Sequence, residues 1–73
     1  MITLESALVK DLEFAMGFAF AARNDALIAL STPEPEHYER LATVNAAYDN
    51  LTEAMRHVSR ARTMLVRQVN RDE

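Results

Sequence analysis

Few residues in this chain have both the type and the spacing for chemistry. Two histidines each have a carboxylate at helical distance: Glu34 lies three residues before His37, and Glu53 four residues before His57. A Glu-x-x-His pair is half of a di-iron bundle site, which also needs an inward-pointing Glu from each of two other helices. The apolar faces described below offer none, so no metal or other cofactor is expected. His37 is read as a first-turn side chain and His57 as part of a solvated face. Ser59 follows His57 by two, and residues two apart on a helix do not face each other, so a nucleophile–base pair is not formed. Asp49 and Glu53, one turn apart, read as a solvated face. A single glycine, Gly17, cannot make a phosphate-binding loop. No catalytic residue emerges, and an enzyme is not expected.

The elements available to position any of these groups are limited by size. Seventy-three residues with no cysteine and no tryptophan allow one domain over 1–73, with no disulfide or thiolate–metal staple. Apolar residues make up 49% of the chain, enough for a core. The N-terminus lacks a basic stretch followed by an apolar run, and the longest uncharged stretch in the first half, residues 14–22, is far short of the ~20 residues that span a bilayer. A cytoplasmic protein with no membrane segment is expected.

The periodicity predicts an all-α hairpin. Thr3 can cap a first helix over about residues 3–30, rich in alanine, with Glu5 near its positive end. Residues 31–34 read as the turn. Thr32 as cap, Pro33 at the first helical position and the acids at 34 and 36 predict a second helix over about 33–70. Leu41, Val44, Tyr48, Leu51, Met55, Val58, Arg62, Leu65 and Val69 follow steps of three and four. This is a heptad seam with Arg62 as its one offender, flanked by Ala47, Ala54 and Ala61.

On the first helix Leu8, Leu12, Ala15, Ala19, Ala22, Ala26 and Ala29 form a line of small side chains, read as the hairpin contact. Val9, Met16, Phe20 and Leu27 lie to one side, Phe14 and Phe18 to the other, so the apolar arc spans roughly 240°, more than one neighbour covers. A homodimer, two hairpins in a four-helix bundle, is expected, with Phe14, Phe18 and Phe20 and the seam from Leu41 to Val58 as core or dimer contacts. Antiparallel pairing is expected to set residues opposite when their numbers total about 65, leaving everything after Arg62 as an overhang.

Charge divides along the chain. Residues 1–54 carry three bases and nine acids, residues 55–73 five arginines and two acids. The net charge of −3 and the lack of aromatic residues among the arginines argue against nucleic acid, and a helix C-terminus accommodates cations without further purpose. Binding of another protein remains. Glu36, His37, Tyr38 and Arg40 at the corner and Arg62 and Arg67 on the second helix are the candidate contacts, Tyr and Arg being the side chains that most often carry interface energy. Tyr38 also precedes Leu41 by three and could cap the core instead.

Thr3-Leu4-Glu5, then Thr32-Pro33-Glu34 and Tyr38, resemble the small helical-hairpin co-chaperones of type III secretion needle subunits, although Phe14 to Phe20 is less polar than that family's first helix. In size and layout the chain also resembles phage-encoded anti-activators that bind quorum-sensing transcription regulators. Both resemblances imply sequestration of another protein by a helical surface.

Overall fold

The computed structural model describes residues 3–33 and 36–72. Two long helices pack antiparallel, α1 over Leu4–Ser31 and α2 over His37–Asp72, as a hairpin 57 Å long, 20 Å wide and 14 Å thick. Thr3 caps α1 as expected. Its hydroxyl accepts from the Ser6 amide at 3.1 Å, and the Ser6 hydroxyl accepts from the Thr3 amide at 3.1 Å, so two orphan donors of the first turn are satisfied reciprocally.

The second helix starts later than the sequence reading has it. Thr32 is the C-cap of α1 and not the N-cap of α2, and Pro33 lies outside both helices. The proline at position 35 accounts for the delay: it has no N–H and disfavours a helical residue before it. The Glu36 carbonyl accepts the first bond of α2, from the Arg40 amide at 3.1 Å. The acid expected at position 34 lies outside the described residues.

Packing follows an unexpected division of the residues. The buried apolar positions are all alanine: Ala15, Ala22 and Ala29 on α1, Ala54 and Ala61 on α2. They recur every seven residues, and the alternate heptad position carries polar or aromatic groups: Asp11, Phe18, Asp25 and Thr32 on α1, Thr43, Asn50 and His57 on α2. Methyl-sized side chains let two helices approach to the short end of the usual 8–10 Å range. The line of small residues on α1 therefore makes the hairpin contact only in part, since Leu12, Ala19 and Ala26 stay exposed.

On α2 the contact runs through the alanine flank. The apolar seam, one residue further round, points outward: Leu41, Val44, Tyr48, Leu51, Met55, Val58, Leu65 and Val69 are all exposed, Tyr48 at 70%. Both stripes share one period and differ by about 100° of rotation, and the narrower residues take the inside because they permit the closer approach.

Register also differs from the expected 65. Cross-helix hydrogen bonds join Asp11 to His57, Asp25 to Asn50 and Thr32 to Arg40, pairs whose numbers total 68, 75 and 72. The later start of α2 moves the turn centre, so the predicted overhang beyond Arg62 shrinks; Leu12 shares a groove with Arg62, Leu65 and Val69. No described helix is long and apolar enough to cross a membrane.

Ala61, only 2% exposed, has no room to grow. Ala61→Leu is expected to force the helices apart and cost about 1–3 kcal/mol, read as a lower urea midpoint by circular dichroism; an unchanged midpoint would show that the alanine contact tolerates spacing.

Candidate functional site

The hairpin has two unlike broad faces. On one, Leu12, Met16 and Ala19 of α1 and Leu51, Met55 and Val58 of α2 line an apolar groove between the helices. A second groove continues it toward the open end, past Ala61, Arg62, Leu65 and Val69. These residues converge because the stripes one step beyond the hairpin contact, in antiparallel helices, turn to the same side. On the other face Ala7, Asp11, Ser59, Arg60, Thr63 and Arg67 line a polar groove. The same three-and-four spacing extends that basic stripe from Arg56 and Arg60 to Arg67 and Arg71.

Inside the open half of the hairpin lies the one buried ionisable pair among the described residues. His57 Nδ1–H donates to an Asp11 carboxylate oxygen at 2.8 Å, and both residues are 7% exposed. His57 is thus not on a solvated face, as its sequence neighbours suggested. Its ring lies near-parallel to Phe14 and Phe18, with centroids at 5.1 and 5.8 Å. Arg60 Nε approaches the same carboxylate oxygen at 3.9 Å.

The hydrogen bond from His57 is the largest influence on Asp11 and holds its carboxyl below the ordinary 3.8; burial opposes this, and the Arg60 charge assists. An acid–base dyad must reach a proton on its substrate. Here the phenylalanines stack against the imidazole, and the bond serves to lock α1 against α2. Among the described residues no three His, Cys, Asp or Glu side chains are placed to hold a metal ion. Ser59 is exposed and lines the polar groove together with Asp11.

The candidate contacts divide between the ends. Glu36, His37 and Tyr38 are exposed at the corner, Tyr38 at 91%, so it does not cap the core. Arg40 turns back instead: its guanidinium Nη2–H donates to the Thr32 carbonyl at 2.6 Å, bringing to the end of α1 the cation that its own last turn lacks. Arg40 therefore holds the corner together. Glu36 shares a hydrogen bond with Glu39, which raises its carboxyl above the ordinary 4.5, as two neighbouring acids compete for one proton. Arg62 borders the apolar groove, and Arg67 lies at the open end on the polar side.

Phe14 and Phe18 pack on His57, while Phe20 is exposed on α1 and Met16 borders the apolar groove. Sequence reasoning missed Asp25 and Asn50 as contact residues and the pairing of Asp11 with His57. The signal was present: Asp11 and Asp25 stand two heptads apart on α1, Asn50 stands one heptad before His57 on α2, and all interleave with the buried alanines.

Comparison of the chain with protein-family models, with curated proteins and with solved structures returns no match.

Asp11 binds its proton less readily in the folded chain than in the unfolded one, so its stabilising effect is present above pH 3.8 and is lost as pH falls through the lowered folded value. Acid titration followed by circular dichroism should show this limb in the native protein. In Asp11→Asn neutral-pH stability should fall and its difference from the native protein should narrow toward low pH; a difference constant with pH would remove the ionised carboxylate from the account.

Proposed function

We propose that this chain is a non-enzymatic protein-binding module, which pairs with a second copy through its apolar face as a four-helix bundle and sequesters or inhibits another protein. The apolar face carries this reading. Its large side chains are contiguous and uncovered, while the hairpin's own contact uses alanines, polar pairs and the Phe14 and Phe18 rings stacked on His57.

Surface area supports pairing. A compact monomer of 8.3 kDa exposes about 4,600 Å², whereas this hairpin exposes 5910 Å², a surplus of about 1,300 Å². Obligate homodimers remove roughly 1,000 Å² or more per partner, so the surplus is of the size that one such interface hides. With the apolar face occupied, the corner with Glu36, His37 and Tyr38 and the arginine-bearing end stay available to a further protein. An anti-activator that holds a bacterial transcription regulator fits this layout. A secretion co-chaperone would differ in offering the apolar face to another chain.

Sedimentation equilibrium separates these. The native protein is expected at twice 8.3 kDa, and Leu51→Glu at 8.3 kDa, because an uncompensated charge in an apolar contact costs about 3 kcal/mol or more, at least ~100-fold in dissociation. A native protein that stays monomeric at micromolar concentration and pairs only with another chain would favour the co-chaperone. Tyr38→Ala should keep the dimer and its helicity while weakening capture of the target at least tenfold; undiminished capture would move the contact away from the corner.

A further inference from the structure

Pairing through the apolar groove leaves another side of α1 uncovered, and that side has a pattern of its own. Val9, Glu13, Met16, Phe20, Arg23 and Leu27 follow one another at alternating steps of four and three. All six are exposed, Phe20 at 62%, and Met16 is the member that also borders the groove. On a helix of 3.6 residues per turn they fall in a strip roughly 80° wide, turned about 140° from the buried alanines. This is a heptad seam that faces away from α2, ~27 Å long at 1.5 Å per residue.

Its chemistry is palindromic. Counted outward from position 18, Met16 answers Phe20, Glu13 answers Arg23 and Val9 answers Leu27. Each pair thus joins apolar to apolar or acid to base. Neither the Glu13 nor the Arg23 side chain has an ion-pair or hydrogen-bond partner among the described residues.

We propose that this outer seam is a second self-contact, in which α1 of one copy packs antiparallel on α1 of another about a two-fold axis level with position 18. Antiparallel packing sets Glu13 against Arg23 twice and Met16 against Phe20 twice, with Val9 against Leu27 at the two ends. Parallel packing sets Glu13 on Glu13 and Arg23 on Arg23. Like charges facing each other across a contact are strongly unfavourable, so the charge pattern both names a second copy as the occupant and fixes its direction.

Gly17 supports a close approach at this level. It lies beside the centre of the seam, and a Cβ built there meets nothing within 4 Å among the described residues, so the hairpin itself does not require its absence. Glycine destabilises a helix interior relative to alanine, and a second helix crossing at position 18 uses the room that the missing side chain leaves.

The seam goes beyond the groove dimer. Each such dimer carries two seams, and joining two dimers gives four chains. A contact one helix wide belongs with the smaller, weaker interfaces, so it forms at higher concentration than the groove pair.

Sedimentation equilibrium from micromolar to near-millimolar concentration tests this. The native protein is expected to rise from two chains of 8.3 kDa towards four. Arg23→Glu and Glu13→Arg, each with unchanged helicity, are expected to weaken that step about tenfold or more, since two attractive pairs become two repulsive ones. Combining Glu13→Arg with Arg23→Glu restores opposite charges in both pairs and is expected to restore the step. A native mass fixed at two chains throughout, or a double exchange no better than either single one, would overturn the seam. Leu51→Glu keeps the two contacts apart: with the groove broken, the seam alone is expected to carry one chain towards two at the highest concentrations. Native protein at one chain in the micromolar range would overturn the groove dimer, and the seam would still be decided by the charge exchange.

Discussion

Close approach of two helices through methyl groups is the constraint on which this hairpin depends. Alanine at Ala15, Ala22, Ala29, Ala54 and Ala61 lets α1 and α2 draw together, and that proximity excludes larger side chains from the seam. The large residues must then lie on the flanks, and in antiparallel helices the two flanks one step further round share a face. An uncovered apolar surface is therefore a geometric result of how the hairpin closes.

Alanines alone would leave the register loose, since one methyl stacks on the helix as well as another. The polar rungs remove that freedom. Asp11 with His57, Asp25 with Asn50 and Arg40 with the Thr32 carbonyl each lose a hydrogen bond if one helix slides by a turn. The penalty is greatest for Asp11 and His57, because a buried polar group without its partner costs more than the bond contributes. Phe14 and Phe18 raise that penalty by stacking against the imidazole and limiting the access of water. At the other end the Arg40 guanidinium closes the corner, where Ser31 and Thr32 hydroxyls already satisfy the Leu27 and Ile28 carbonyls.

The two helices and their antiparallel pairing were legible from proline placement, alanine content and the absence of internal breakers. Which stripe of α2 faced inward was not. The run from Leu41 to Val69 has the stronger apolar period and reads as the core; the weaker stripe through Ala54, His57 and Ala61 wins because it permits closer packing. Hydrophobicity ranks stripes by their affinity for any dry surface, and a two-helix contact ranks them by width. His57 was misplaced for the same reason: its partner Asp11 is forty-six residues away, outside the reach of local spacing rules. Tyr38 was left between two roles by its three-residue spacing to Leu41, and its exposure follows from the outward turn of that whole seam.

No large side chain is fully buried anywhere in the described chain. A buried methyl group contributes about 0.8 kcal/mol, less than the ~1–2 kcal/mol that ordering one residue's backbone costs. Under the pairing proposed above, the apolar face would add the dry contact that the hairpin's own seam lacks, folding and assembly would become one equilibrium, and the folded fraction would rise with the chain's own abundance. Such an architecture would carry a dosage threshold: sparse copies would unravel and be open to proteolysis, while a burst of synthesis would switch the population into working form.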